Sequence, residues 1–314
     1  MTGERSEHAR RRVVFAGLGR MGVHLARHVA GAAPDGVAVL AYDTAASARE
    51  RAAAAGANVI AELPAGLGAG DVVCLSVPDG AAVRALLAAL VPRQPRPGLL
   101  LLDFSSVAPR DARAIAAELA TDQIRYVDAP VTGGVLGAEQ GTLTTIVGAE
   151  AADLAPVRWI PESFSSRVVH AGATGAGALL KTLNNMIFNV ASIAAMEGMI
   201  VARLAGIADD VLLDVLNHGT AATYFSQVRY PKYVATRTFD AGMRLGLVDK
   251  DLQIALDAAG ELDCELQLCT TGRGMWARAL AELGPDADTT RMMDVVARSS
   301  TGSGILELFD TVPR

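Results

Sequence analysis

A glycine-spaced run, Val13-Val14-Phe15-Ala16-Gly17-Leu18-Gly19-Arg20-Met21-Gly22, places G-x-G-x-x-G directly after an apolar segment and at the opening of a helical pattern. Few backbones satisfy that context. Gly17 permits a tight turn, Gly19 lets the chain approach a pyrophosphate, and Gly22 lets the helix pack against the strand before it. The helix N-terminus then offers Leu18, Arg20 and Met21 N–H groups and its own first turn to an anion. Further apolar runs follow at 37–42, 71–77, 99–103 and 125–128, each ending in Gly, Asp, Pro or Ser. Between them lie Ala-rich helical segments at 20–32, 44–56, 79–91 and 108–120. Alternation of this kind predicts βαβ units, and unbroken apolar runs predict strands buried on both faces. The expectation is an α/β, Rossmann-type, doubly wound sheet, completed by strands at 143–147 and 167–170, with Trp159 and Pro161 in the connection between them.

The second strand ends at Asp43, 21 residues after Gly22. A carboxylate there accepts hydrogen bonds from ribose hydroxyls and repels a 2′-phosphate, so NAD is expected over NADP; Arg49 and Arg51 lie further along the next helix. A helix N-cap would use the same aspartate, and the two roles are compatible. Ser76, Val77 and Pro78, with Ser105 and Ser106, end two further strands and should border the same crevice. Capping turns explain those residues equally well.

After Gly172 the strand-like runs stop. Residues 174–204 are helix-compatible without a proline, and the remainder reads as helices interrupted at Gly206, His218-Gly219, Pro231, Gly260 and Gly284-Pro285. A chain of 314 residues exceeds one comfortable core. The reading is a flexible tail at 1–12, a dinucleotide-binding domain at 13–172, and a long interdomain helix leading into an all-α substrate and oligomerisation domain at 173–314. Net charge is −6, with basic clustering confined to Arg10-Arg11-Arg12, so no nucleic-acid partner is expected. Every apolar stretch is interrupted short of the roughly 18–20 residues of a membrane span, and the N-terminus lacks a secretory pattern. A soluble, cytoplasmic protein is expected. Cys74, Cys264 and Cys269 match no metal or disulfide spacing and read as reduced thiols, Cys74 as a small buried hydrophobe; no metal site is expected.

Two more segments carry polar groups suited to chemistry. Asp128-Ala129-Pro130-Val131-Thr132-Gly133-Gly134 follows a strand and sets a hydroxyl beside exposed N–H groups that suit a carboxylate, although a bare turn has the same composition. In Gly175-Ala176-Gly177-Ala178-Leu179-Leu180-Lys181-Thr182-Leu183-Asn184-Asn185, Lys181 and Asn185 are four apart and share a helix face. The small residues before them allow close backbone approach. His218 reads as a helix-end cap, and Tyr224, Phe225, Phe239 and Trp276 as core or pocket wall.

Taken in order, 17–22, 128–134, 175–185 and Lys250-Asp251-Leu252 resemble the β-hydroxyacid dehydrogenase family, whose members carry GLGxMG, D-x-P-V-[ST]-G-G, G-x-G-x-x-x-K-x-x-x-N and K-D-L in this order. The resemblance covers nearly everything after residue 12. It implies an NAD-dependent oxidoreductase that interconverts a small β-hydroxy acid and its semialdehyde or keto form. In that reading Lys181 is the acid/base, Asn185 orients substrate, Thr132, Gly133 and Gly134 hold its carboxylate, and Lys250 reaches the cofactor near the nicotinamide. Thr132 stands where many members have Ser, which keeps the hydroxyl and adds a methyl. The alternatives are reduction of another small carbonyl or imine on the same fold, or a dinucleotide sensor without catalysis. A long apolar helix with Ala-rich neighbours needs covering, so a homodimer or homotetramer is expected.

Overall fold

Residues 11–64, 66–90 and 95–311 are described in the computed structural model of the chain. They divide into two compact units, one ending at Lys181 and the other beginning at Thr182.

The first unit is built on one eight-stranded sheet. Strands β1 (Arg11–Ala16), β2 (Val37–Tyr42), β3 (Val72–Leu75), β4 (Leu100–Asp103) and β5 (Arg125–Asp128) run parallel in the order β2-β1-β3-β4-β5. Helices α1 (Gly22–Ala32), α2 (Ala46–Ala54), α3 (Gly80–Leu90) and α4 (Pro109–Ala120) make the crossovers. Successive strand residues feed opposite cores. Val13, Phe15, Cys74, Leu100 and Leu102 pack on one face. Val14, Ala16, Val73, Leu75, Leu99 and Leu101 pack on the other. Burial of both faces is why the strands read as unbroken apolar runs.

Beyond β5 the parallel pattern changes in a way the sequence did not announce. β6 (Val131–Thr132) and β7 (Leu143–Gly148) pair antiparallel, with α5 (Gly134–Gln140) between them, and β7 also meets β5 antiparallel at Asp128 and Gly148. β8 (Ser165–Gly172) then runs parallel to β7. Trp159 and Pro161 lie in a one-turn helix, α7 (Trp159–Glu162), preceded by α6 (Ala151–Leu154). At the opposite edge, Val59 makes a single parallel bridge to Ala41. The tail expected over 1–12 lies outside the described residues up to residue 10, and the expectation fails for the last two. β1 begins at Arg11 because Asp71 accepts both the Arg12 backbone N–H at 2.9 Å and its guanidinium at 2.6 Å.

Helix α8 (Ala176–Leu204) runs without a break for 29 residues. It contains a window of mean hydropathy 1.5, so it is long and apolar enough to cross a membrane by that measure, contrary to the sequence reading. Single charges such as Lys181 interrupt the run without lowering its average far. Its inner face carries Ile193, Met196, Met199 and Ile200 into the core of the second unit.

The remaining elements of that unit among the described residues are helices, joined by turns and one isolated antiparallel bridge between Arg244 and Asp288: α9 (Asp209–His218), a π-helix at Phe225–Val234, α10 (Leu245–Gly260), α11 (Gln267–Leu283), a 3-10 turn at Thr289–Arg291, α12 (Met292–Thr301) and α13 (Ile305–Thr311). Pro231, expected as an interruption, sits inside the π-helix. A π-helical carbonyl bonds five residues on, so the carbonyl deprived by the missing proline N–H is that of Ser226. Asn217 Nδ2 donates to it instead, at 3.4 Å.

Candidate active site

The glycine loop is set by steric necessity. Gly17 has φ of +98°, and a Cβ on it would lie 2.3 Å from the Ser76 carbonyl oxygen; a Cβ on Gly22 would lie 1.9 Å from that of Gly17. A Cβ on Gly19 would meet nothing within 4 Å. The crowded glycines shape the turn, while the open one leaves a clear approach to the backbone. Gly19 and Arg20 are exposed, Met21 is half-buried, and α1 begins with no side-chain cap and no acidic residue in its first turn. An uncapped N-terminus beside an open glycine fits a pyrophosphate, and the residues present therefore fit a dinucleotide.

Asp43, half-buried at the end of β2, accepts the Leu18 N–H at 2.7 Å through Oδ2 and the Ala45 N–H at 2.8 Å through Oδ1. It thus fixes the glycine loop. The residue preceding α2 is Ala45, so Asp43 forms the turn before the helix and is not its N-cap. Each carboxylate oxygen retains a lone pair for a further donor. Arg49, read as lying further along, folds its guanidinium back onto the carbonyls of Asp43 at 2.6 Å and Thr44 at 3.1 Å.

Ser76 and Val77 are half-buried and Pro78 is exposed at the end of β3. Ser105 is turned inward: it is 3% exposed, its hydroxyl accepts the Val77 N–H at 3.0 Å, and its own N–H donates to Asp103 at 2.9 Å. It ties the carboxyl ends of β3 and β4 together. Asp103 also accepts the Tyr126 hydroxyl at 2.7 Å, and burial raises its pKa.

The most informative residue is one the sequence reading did not single out. Asp128, fully buried at the end of β5, accepts the N–H of Gly175 at 2.7 Å and of Ala178 at 2.8 Å. It clamps the first turn of α8. A Cβ on Gly177 would stand 2.5 Å from the Ile146 carbonyl oxygen and 2.8 Å from Asp128 Oδ2, so glycine alone lets helix and sheet meet backbone to backbone. Burial is the main cause that raises the Asp128 pKa to about 6, with the two N–H donors opposing it and Asp103 adding to it. Immediately downstream, Thr132 is half-buried in β6, Gly133 takes φ of +124°, and Gly134 opens α5 with φ of +69°.

Lys181 lies three residues beyond Ala178, half-buried on α8, and Asn185 follows it one turn later on the same helix. In the second unit, Asn185 Nδ2 donates to Asp251 Oδ2 at 2.7 Å, and Lys250 Nζ stands 3.7 Å from Asp251 Oδ1. Asp251, only 7% exposed, thereby holds both residues, a role its place in the K-D-L motif does not reveal. His218 Nδ1 bonds the Asp214 carbonyl at 3.0 Å at the end of α9, the capping role. Phe225 and Trp276 are buried core, whereas Tyr224 is 38% exposed and Phe239 partly buried. All three cysteines are free thiols, with Cys74 and Cys269 buried and Cys264 exposed, and burial raises the Cys74 pKa strongly. Among the described residues no group of three or more His, Cys, Asp or Glu could hold a metal.

Comparison with known proteins adds to this geometry. Residues 12–172 match the NAD-binding domain of 6-phosphogluconate dehydrogenase, and residues 175–296 match the NAD-binding domain of NADP-dependent 3-hydroxyisobutyrate dehydrogenase. A probable 3-hydroxyisobutyrate dehydrogenase of Mycobacterium tuberculosis is 31% identical over 276 residues, 86% of this chain and 92% of its own. The 2-(hydroxymethyl)glutarate dehydrogenase of Eubacterium barkeri is 30% identical, over 80% of this chain and 83% of its own. Among solved structures, M. tuberculosis 3-hydroxyisobutyrate dehydrogenase with L-serine superposes with a TM-score of 0.78 at 29% identity, covering 91% of this chain and 98% of that one.

Proposed function

Because the chain belongs to the β-hydroxyacid dehydrogenase family, we propose that it interconverts a small β-hydroxy acid and its semialdehyde or keto form, with NAD preferred and Lys181 as acid/base. The general activity, a dehydrogenase acting on a hydroxy acid with a nicotinamide dinucleotide, follows from the family. The observation that carries the finer reading is the polar pair on α8, with Lys181 and Asn185 one turn apart and the Asn185 amide oriented by Asp251.

When bound, the nicotinamide supplies the hydride acceptor. Oxidation requires the substrate hydroxyl to lose its proton as hydride leaves the same carbon, and Lys181 Nζ takes that proton. The lysine must be neutral to do so, whereas in reduction it starts charged and donates. Asn185 donates an amide N–H that fixes the hydroxyl. Thr132, Gly133 and Gly134 receive the carboxylate on a hydroxyl and on the N–H groups of the two positive-φ glycines. Gly19 to Gly22 cradle the pyrophosphate, the Leu18 N–H expected there being spent on Asp43; Asp43 takes the ribose hydroxyls, Ser76 to Pro78 border the cofactor crevice, and Lys250 reaches the cofactor.

The NAD preference rests on Asp43, whose carboxylate repels a 2′-phosphate, and on Arg49, whose guanidinium is already engaged by two backbone carbonyls. A homodimer or homotetramer is the proposed assembly, since Ile187, Val201, Val211 and Val215 are each more than half exposed. The free thiols suit a reducing cytoplasm.

One variant tests the central role. Lys181→Met should lower turnover by at least about 10²–10⁴-fold, the usual contribution of a positioned acid/base. Dinucleotide binding, read by fluorescence titration, should survive. Serine and 3-hydroxyisobutyrate, with NAD and NADP, are the first substrates to assay, read at the reduced nicotinamide absorbance. Turnover in the variant near that of the parent chain refutes the role of Lys181.

A further inference from the structure

Helix α5, which opens on the second glycine of the proposed carboxylate loop, has little apolar packing to hold it. Of its seven residues only Gly137 and Ala138 are buried, with Val135 and Leu136 half-buried. Its C-terminal end is held by polar groups instead. The last four carbonyls of a helix have no partner within it. In α5 that of Gly137 accepts the Gly141 and Thr142 N–H groups, whereas those of Ala138 and Glu139 are met from α1.

Arg27 and His28 supply the donors, about one and a half turns beyond Gly22. The exposed Arg27 guanidinium donates through Nη2 to the Glu139 carbonyl at 2.8 Å. His28, half-buried, sets Nε2 3.1 Å from the Ala138 carbonyl and 3.2 Å from that of Glu139. Carbonyl oxygens only accept, so Nε2 carries the proton. The His28 ring also lies against Gly141, where a Cβ would stand 3.2 Å from Cε1, and Gly141 takes the φ of +70° that ends the helix. A guanidinium at that end complements the helix dipole. Neither side chain takes part in the reaction, and every residue of this contact belongs to the first unit.

We infer that Arg27 and His28 are positioning residues for the substrate carboxylate: given the proposed role of Thr132, Gly133 and Gly134, they hold α5 in the pose in which that loop is ready to receive it. A two-turn helix about 10 Å long moves as one body, so a shift at Glu139 is carried to Gly134. Leu143 fills the space beneath Gly133 and Gly137, its Cδ2 3.0 Å from where a Cβ on either would stand, so loop and helix rest on one side chain. Without the two donors from α1, a smaller fraction of the chain has the loop in place. The apparent affinity for the acid falls by that fraction, and the chemical step that follows binding is untouched.

Steady-state kinetics of the full chain at saturating dinucleotide test this. Arg27→Leu with His28→Leu should raise KM for the hydroxy acid about tenfold, the combined worth of two partly exposed hydrogen bonds, while kcat and dinucleotide affinity, read by fluorescence titration, stay within about twofold. Arg27→Lys with His28→Gln returns a donor at each position and should bring KM back to within about threefold of the parent. Should the double leucine variant not fold, Arg27→Leu alone, at an exposed position, decides, with KM raised at least about threefold. Thr132→Val, inside the loop itself, separates two failures. KM raised by Thr132→Val but not by the leucine variants overturns the inference alone. KM unmoved by Thr132→Val, or no turnover of any β-hydroxy acid by the parent chain, removes the carboxylate reading and the inference with it. A fall in kcat or in dinucleotide affinity that matches the rise in KM, or no rescue in Arg27→Lys with His28→Gln, makes the contact merely structural and overturns the inference as well.

Discussion

Asp128 offers a sharp test of whether the first turn of α8 is held by a charged group. Its pKa is raised by burial from 3.8 to about 6 in the folded chain. At about 1.36 kcal/mol per pH unit, keeping the carboxylate ionised in the fold costs about 3 kcal/mol relative to keeping it protonated. The sign follows from the direction. An acid whose folded pKa lies above its unfolded value favours folding below the unfolded pKa, and that contribution is lost as pH rises through the folded one. From pH 5 to pH 8 the loss is about 1.4 kcal/mol, with the remainder falling at lower pH. Asp128→Asn removes the titration. It also replaces one acceptor by a donor facing a backbone N–H, a pH-independent penalty of about 1–3 kcal/mol. Urea unfolding of both chains at pH 5, 6, 7 and 8 separates the two effects. The stability of the parent relative to the variant should fall steadily with pH. Asp103, also buried and raised, does not mask this, because removing Asp128 relieves its repulsion in the same direction. A parent-minus-variant difference that is flat or rises with pH refutes the argument.

Other perturbations follow from the same geometry. Gly22→Ala drives a methyl into the Gly17 carbonyl and should cost about 1–3 kcal/mol and weaken dinucleotide binding at least about tenfold, read by calorimetry. Asp43→Ala should weaken NAD more than NADP and lower the ratio of their affinities about tenfold. A ratio left unchanged assigns Asp43 to the Leu18 and Ala45 N–H groups alone. Asp251→Asn weakens the hold on Asn185 and on Lys250 and should raise KM for the hydroxy acid about tenfold, with a smaller loss of dinucleotide affinity read by fluorescence titration.

The parts legible in the sequence are those whose cause is local or periodic. Parallel strands buried on both faces produce continuous apolar runs, so β1 to β5 could be read directly, and the glycine loop follows from sterics within a dozen residues. β6 could not be read, because two residues carry no period, and neither could the antiparallel turn of the sheet at β7. Pro231 misled because its usual helix-breaking effect assumes an α-helix, whereas a π-helix with Asn217 supplying the missing donor accommodates it. The candidate site was legible in its motifs and not in its supports. Asp128 finds its partners 47 and 50 residues away, and Asp251 finds Asn185 66 residues away, so no spacing rule reveals either. Gly177 was a partial signal: a small residue in a helix implies close approach, but not what is approached.

Each of those hidden carboxylates acts within its own unit. Asp128 begins the segment that ends in Thr132, Gly133 and Gly134, and the same side chain grips the first turn of the helix bearing Lys181. All of these residues belong to the first unit, whose boundary falls directly after Lys181. Asn185, Lys250 and Asp251 belong to the second unit and are held by one another. Loosening Asp128 therefore disturbs the lysine relative to the proposed carboxylate loop, a misplacement felt in kcat, where an error of about 1 Å can cost about 10²-fold. Loosening Asp251 disturbs the Asn185 amide and the Lys250 ammonium, felt in KM. A KM effect at Asp128 together with a kcat effect at Asp251 would mean that the two carboxylates do not support the proposed lysine and asparagine roles separately.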